Sequence, residues 1–250
     1  MPLAIANDLT IHYQEFGDGT PVVMIHGLLL GNLASWYLTV APALARSHRV
    51  LLYDLRGHGL SERSPRGYDL ATLSGDLGVL CQRLLPAPVA LVGHSWGGLV
   101  ALRFAIDHPR LVSRLAVIDA PLPPSRAEDF VRLAENPLAL LDALPAGLRR
   151  QWSGQSRRRS RLLDTIRGLV EETSLTDDVA AEPDFGDADL AGLACPVLCV
   201  YGDRSSCRPA ADRLSSTIPG ARVVVLPGGH WLPFDSPDPL ARCLAGFLDE

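Results

Sequence analysis

The chain reads as a doubly wound α/β domain built on a mostly parallel sheet. Three observations carry that reading. Short runs that are β-branched and apolar on both faces recur along the sequence, as strands covered on two sides by helices require. Helix-like segments alternate with them, so the order is β-β and then repeated β-α. The alternation breaks once, between Asp119 and Cys195, where a charged and helical stretch with no strand pattern intervenes.

The elements follow in order. Leu9–Phe16 alternates apolar and polar residues, and Gly17-Asp18-Gly19 turns the chain into Val22–His26, as in a hairpin. Further strands are predicted at Arg49–Asp54, Val89–Val92, Arg114–Asp119, Val197–Tyr201 and Arg222–Leu226, and helices at Ser35–Ala45, Asp69–Leu84, Leu99–Asp107, Ala210–Thr217 and Pro239–Leu248. Pro121, Pro123 and Pro124 end the strand at Asp119 abruptly. One domain results, with its core in 1–120 and 191–250. The insertion at 121–190 lies over the carboxyl ends of the strands, where open α/β sheets bind ligands, and is a candidate lid.

Composition bounds the function. A chain of 250 residues, 47% hydrophobic and 20% charged, suits a single globular domain. No apolar stretch reaches the roughly 18 residues of a membrane span. Met1-Pro2-Leu3-Ala4 offers neither a basic start nor a cleavage site, so no signal peptide is expected. Cys81, Cys195, Cys199, Cys207 and Cys243 are odd in number and lack metal-ligand spacing; they read as small buried hydrophobes in a reducing, cytoplasmic compartment. The net charge of −5 argues against a nucleic-acid partner, although all 23 basic residues are arginine. In the insertion, Arg149, Arg150, Arg157, Arg158, Arg159, Arg161 and Arg167 precede Glu171, Glu172, Asp177, Asp178, Glu182, Asp184, Asp187 and Asp189. The arginines could dock an acidic or phosphate-bearing partner; the simpler reading is a solvated face partly neutralised by the acids after it.

The chemistry centres on Gly93-His94-Ser95-Trp96-Gly97, between the apolar run Pro88–Val92 and the helical Leu99–Asp107. A strand that turns sharply into a helix strains its turn residue and exposes that residue's oxygen above the sheet edge. Glycines at 93, 97 and 98 leave room for such a turn. A nucleophilic serine needs a base, and His230 in Pro227-Gly228-Gly229-His230-Trp231 is the best candidate, on a loop that two glycines leave free. His12, His48, His58 and His108 read as structural or exposed, and His94 should point away from Ser95. His26 precedes Gly27, whose missing side chain lets the next N–H face a ligand. No cluster of histidines and carboxylates has ligand spacing, and the glycines after the strand form a turn, so neither metal nor cofactor is expected.

Four segments in this order resemble the α/β-hydrolase superfamily: His26-Gly27-Leu28, Asp54-Leu55-Arg56-Gly57-His58-Gly59-Leu60-Ser61, the turn at Ser95, and His230. The match covers nearly the whole chain outside the insertion. The resemblance implies the α/β-hydrolase fold with a helical lid after its sixth strand, Ser95 as nucleophile, His230 as base, and an oxyanion hole made by the backbone N–H groups of Leu28 and Trp96. Asp54–Ser61 would support the oxyanion side, with no catalytic role for Asp54 or Arg56. The acid departs from the family pattern: three residues beyond Gly202 stands Ser205, which carries no charge. Asp119, at the end of the Arg114–Asp119 strand, is the preferred substitute and Asp203 the alternative. Whichever serves should lie within about 2.6–3.2 Å of a ring nitrogen of His230.

A serine at position 95 speaks against the haloalkane dehalogenases and epoxide hydrolases of that superfamily, which need an aspartate there. The expected activity is hydrolysis of a carboxylic ester or thioester of a small-molecule acyl substrate, with a CoA-bound or carrier-protein-bound acyl group within the same reading. Leu28-Leu29-Leu30, Trp36, Trp96 and Trp231 suggest an apolar acyl pocket, and core packing explains some of these side chains equally well. The alternatives are other chemistry on the same fold (a carbon–carbon bond hydrolase, a lyase or a perhydrolase) and a non-catalytic ligand-binding scaffold, for which the missing usual acid is the only hint.

Overall fold

The computed structural model describes residues 1–122, 132, 134, 136–142, 144, 145, 149 and 157–250. Eight strands form one sheet: β1 (Leu3–Ala6), β2 (Leu9–Phe16), β3 (Thr20–Ile25), β4 (His48–Tyr53), β5 (Val89–His94), β6 (Val112–Ile118), β7 (Val197–Gly202) and β8 (Arg222–Leu226). Their order is β1-β2-β4-β3-β5-β6-β7-β8. β2 runs antiparallel to β1 and β4, and every pairing from β4 to β8 is parallel.

The first hairpin differs from the expected one. β2 turns back on β1 through Asn7-Asp8, both at positive φ, the geometry that a two-residue hairpin turn demands. β3 does not pair with β2 at all; it lies between β4 and β5. Alternation along β2 reports a half-buried strand but not its partner. The glycine turn instead carries the chain past the start of β4: Gly17 has φ 78°, and a Cβ there would stand 2.3 Å from the His48 carbonyl.

Helices cover both faces. They are α1 (Ala34–Tyr37), α2 (Ala41–Leu44), α3 (Leu70–Leu84), α4 (Trp96–Asp107), α5 (Pro137–Asp142), α6 (Arg157–Glu171), α7 (Leu175–Ala181), α8 (Asp187–Ala191), α9 (Pro209–Thr217), α10 (Leu232–Asp235) and α11 (Pro237–Leu248). The single helix expected over Ser35–Ala45 is two short ones, because Pro42 lacks the N–H a continuous helix needs and sits in the first turn of α2. Asp69 caps α3 by accepting from the Thr72 N–H at 2.8 Å. Successive residues of β3 face opposite sides. Val23 and Ile25 join the core under α3 and α4 with Leu73, Leu77 and Phe104, while Val22 and Met24 join Trp36, Leu44, Leu240 and Leu244 under α1, α2 and α11.

Within the insertion, the described residues hold helices and no strand. Much of the segment expected at 121–190 lies outside the described residues, including Pro123, Pro124 and Arg150 and the side chain of Arg158. α6 and α7 add Ile166, Leu169, Leu175 and Val179 to the larger core. The acidic stretch has work other than neutralising the arginines. Asp178 accepts from Tyr68 N–H at 2.8 Å and Glu182 from Leu70 N–H at 2.9 Å. Glu172 pairs with Arg63 at 2.8 Å, and Asp184 and Asp187 both hold Arg213. These acids tie the insertion to the Arg63–Leu70 loop and to α9, while Arg157, Arg161 and Arg167 face solvent. Among the described residues, no helix is long and apolar enough to cross a membrane.

One ion pair is deeply buried. Arg56 grips Asp76 with two bonds of 2.8 Å, Asn7 Nδ2 donates to the same carboxylate at 2.8 Å, and the two charged side chains are 5% and 2% exposed. Removing one charge strands the other, whereas replacing both with apolar groups does not. Asp76→Ala should lower the unfolding free energy by about 3–5 kcal/mol in urea denaturation, and Arg56→Met with Asp76→Leu should lose far less. Equal losses in the two variants would refute the stranded-charge account.

Candidate active site

β5 ends at His94 and α4 begins at Trp96, so the chain reverses from strand to helix within Ser95, at φ 54° and ψ −125°. That conformation is costly for a residue with a side chain and persists only where its surroundings enforce it. Here the close packing is visible: a Cβ on Gly93 would lie 2.2 Å from the Gly97 carbonyl, and one on Gly97 would lie 2.5 Å from the carbonyls of Ile25 and His26. Ser95 N–H donates to Ile118 O at 2.8 Å, and the hydroxyl stands half-buried above the sheet.

His230 meets that hydroxyl. Its Nε2 lies 2.9 Å from Ser95 Oγ and its Nδ1 lies 2.7 Å from Asp119 Oδ2. With a carboxylate beside Nδ1, the ring proton belongs there and Nε2 is the acceptor for the serine O–H. His94 lies beneath the loop, where its Nε2 and the His230 carbonyl are 2.7 Å apart. Burial pushes His94 down to about 3, so the ring stays neutral and donates one N–H to that carbonyl.

Asp119 follows β6 directly, fully buried and at φ 46°. Its Oδ1 accepts from Gly202 N–H at 2.9 Å, and its Oδ2 accepts from Ser205 Oγ at 2.5 Å as well as from His230. Asp203 is turned elsewhere: it accepts from Gly228 N–H at 2.8 Å and so braces the loop that carries His230. Ser205, which stands where relatives have their acid, donates to Asp119 and accepts from Cys207 N–H at 3.0 Å. Burial of His230 opposes its charged form. The Asp119 carboxylate and then Cys207 outweigh that effect and raise the ring above the ordinary imidazole value.

On the other side of Ser95 runs the Gly27–Leu30 loop; a Cβ on Gly27 would lie 3.0 Å from Ser95 Cβ. Leu29 is at φ 64° and donates its N–H to His58 Nε2 at 2.9 Å, and Leu30 N–H donates to Leu28 O. The two donors after Leu28 are therefore occupied within the loop. Trp96 opens α4 directly after Ser95, and Gly98 N–H in the same first turn donates to Ser95 O at 2.9 Å. His58 donates from Nδ1 to Arg56 O at 2.9 Å, and burial holds it at about 3, so it remains a neutral acceptor for Leu29. Asp54 stitches the same region together, accepting from Leu33 N–H at 2.7 Å, Leu60 N–H at 2.9 Å and His12 Nδ1 at 2.7 Å.

Three points go beyond the sequence reading. His58 is buried against the Leu28–Leu30 loop, and its place between two glycines of the Asp54–Ser61 segment was the available signal. Trp36 does not belong to a pocket: it is fully buried under α11, on the sheet face opposite α4, and Trp96 is 4% exposed in the main core. Trp231 alone of these is half-buried beside His230, with ring centroids 5.7 Å apart. Cys207 is the third. Its Sγ lies 3.7 Å from His230 Nδ1, and the ligand atoms of Asp119, Cys207 and His230 all lie within 4.8 Å of one another. Spacing along the chain cannot reveal that convergence, because the three residues sit on three separate strand-end loops.

Residues 20–161 match the family model described as alpha/beta hydrolase fold. The pimeloyl-[acyl-carrier protein] methyl ester esterase of Aeromonas hydrophila is 32% identical over 250 aligned residues, covering 91% of this chain and 94% of that one. A soluble epoxide hydrolase of Corynebacterium sp. strain C12 is 41% identical, but over 118 residues that span 46% of this chain and 40% of the other. Among solved structures, the enol-lactonase of Burkholderia xenovorans superposes with a TM-score of 0.79 at 26% identity, covering 100% of both chains.

The raised imidazole gives a direct measurement. A proton NMR titration of His230 should show a midpoint above about 6.5, and Asp119→Asn should bring it down. The corresponding stability is present below the unfolded value and is lost as pH rises through the raised folded one. A midpoint at or below the ordinary value in the unsubstituted protein would contradict the assigned hydrogen bonds.

Proposed function

Since the chain belongs to the alpha/beta hydrolase fold family, we propose that it is a serine hydrolase cleaving a carboxylic ester or thioester through an acyl-enzyme on Ser95. The observation that carries this reading is the unbroken hydrogen-bonded chain from Ser95 Oγ through His230 to Asp119, at 2.9 and 2.7 Å. His230 Nε2 takes the serine proton as Oγ attacks the acyl carbon, and Asp119 steadies the imidazolium that forms. The N–H groups of Leu28 and Trp96 receive the developing oxyanion. Collapse expels the alcohol or thiol, which takes its proton from Nε2. Water, deprotonated by the same nitrogen, then releases the acid and restores Ser95.

Two features of the neighbourhood support the ester reading. The esterase relative aligns over nearly its full length, whereas the epoxide hydrolase match spans well under half of that protein. A hydroxyl at position 95 suits attack on a carbonyl, while epoxide opening in this superfamily needs a carboxylate there. The insertion at 121–190 is proposed as the lid, its helices α6 and α7 being anchored to the Arg63–Leu70 loop by Glu172, Asp178 and Glu182.

A fluorophosphonate probe should label Ser95, and Ser95→Ala should abolish labelling. Ser95→Ala and His230→Ala should each reduce kcat/KM for p-nitrophenyl acetate by about 10⁴-fold or more with the circular dichroism spectrum unchanged. Asp119→Asn should cost about 10⁴-fold, and Asp203→Asn far less. An unlabelled Ser95 in folded protein would favour the ligand-binding scaffold, and near wild-type turnover by either alanine variant would overturn the assignment.

A further inference from the structure

We infer that Cys207, His230 and Asp119 form a binding site for a thiophilic divalent cation of the Zn²⁺ type, and that its occupation disables the base that faces Ser95. The binding itself is independent of the hydrolase reading; the loss of activity rests on it.

The donor set is the first argument. A thiol sulfur, an imidazole nitrogen and a carboxylate oxygen are the three ligand types that tetrahedral zinc sites combine. Here Cys207 Sγ, His230 Nδ1 and the Asp119 carboxylate lie within 4.8 Å of one another. Metal–ligand distances of about 2.0–2.3 Å put neighbouring tetrahedral ligands about 3.4–3.6 Å apart. The separation of 3.7 Å between Cys207 Sγ and His230 Nδ1 already suits that geometry. The 2.7 Å between Nδ1 and Asp119 Oδ2 is a hydrogen-bond distance and must open when an ion replaces the proton. Water completes the fourth position.

Access is the second argument. Asp119 and Cys207 are buried, but the His230 side chain is 30% exposed, so one of the three ligand-bearing side chains borders solvent. The loop is also held in place without the ion: Ser205 bonds both Asp119 Oδ2 and Cys207 N–H, fixing two of the three ligands relative to each other.

The consequence for His230 follows from proton accounting. The neutral ring has one N–H. In the free protein it sits on Nδ1, toward Asp119, and the Nε2 lone pair faces Ser95. An ion on Nδ1 needs a lone pair on that nitrogen, so the ring proton moves from Nδ1 to Nε2, and Nε2 can no longer accept from the serine hydroxyl. The thiol loses its proton to solvent as the metal–sulfur bond forms, so uptake releases one proton from a neutral ring and two from an imidazolium, and tightens as pH rises. No oxidant or reductant is involved.

The test uses the full chain after treatment with a chelator. Cd²⁺ titration should give an ultraviolet thiolate-to-metal band that saturates at one equivalent and disappears in both Cys207→Ser and Cys207→Ala. Calorimetric Zn²⁺ affinity should fall at least about tenfold in the same variants. These two readouts require no turnover, so they stand even if the hydrolase reading fails. In active enzyme, Zn²⁺ should inhibit hydrolysis of p-nitrophenyl acetate reversibly with EDTA, Mg²⁺ should not, and each variant should need at least about tenfold more Zn²⁺, relative to its own metal-free rate. Equal Cd²⁺ bands in the wild type and both folded variants would assign the signal to other thiols and overturn the site. Cys207-dependent Zn²⁺ binding without inhibition would overturn the disabling of the base.

Discussion

The reversal from β5 into α4 within one residue is the constraint to which the rest of the site conforms. It places Ser95 where no ordinary side-chain-bearing residue rests, and it brings the backbone of Gly93 against Gly97 and that of Gly97 against Ile25 and His26. A turn this tight cannot relax locally. Its neighbours must hold it, and they are the ends of β3 and β6, the two strands that flank β5 in the sheet. The position of the hydroxyl is therefore set by the parallel core and not by the loops above it.

Two buried carboxylates bracket the elbow and divide the labour. Asp54 gathers backbone donors from Leu33 and Leu60 and the ring of His12, beside the segment where His26 Nε2 accepts from Leu55 N–H and His58 Nε2 accepts from Leu29 N–H. Asp119 gathers Gly202 N–H, Ser205 Oγ and His230 Nδ1 on the other side. Each is satisfied by several donors, which is the condition for a buried polar group to order its surroundings and not destabilise them. The neutral histidines complete the arrangement: His58 and His94, both driven far below the ordinary imidazole value by burial, keep fixed donor and acceptor ends at neutral pH.

Much of this was legible in the sequence because the decisive signals are local. The strand-to-helix transition at Ser95 and the glycine-flanked His230 are read from a few consecutive residues. What failed was non-local. Alternation in Leu9–Phe16 identified a strand, but its partners are β1 and β4 and not β3, since pairing depends on crossover connections. Ser205 standing at the usual acid position left Asp119 and Asp203 open, because the choice turns on which carboxylate the β7 loop can surround with donors; only in three dimensions does Ser205 prove to be a donor to Asp119. For Trp36 the sequence left pocket and core both open, and α1 turns it into the core. Cys207 gave no signal at all, for its meaning lies entirely in the loops that meet it.

Among the described residues, five without a glycine's freedom adopt positive φ: Asn7, Asp8, Leu29, Ser95 and Asp119. The first two make a hairpin turn that favours such residues. The other three lie on the segments that carry the candidate site, and each is pinned by its own N–H: Leu29 to His58 Nε2, Ser95 to Ile118 O and Asp119 to Val200 O. The last two bonds belong to a series in which the residue after one strand donates to the next strand over, and Asp203 N–H continues it onto Leu226 O. Strain of about 1–3 kcal/mol at each of the three residues is thus offset by bonds to the rigid sheet or to a buried ring. The geometry that brings Ser95, His230 and Asp119 together is stored in the backbone before any ligand arrives, and the same rigidity holds Cys207 beside them.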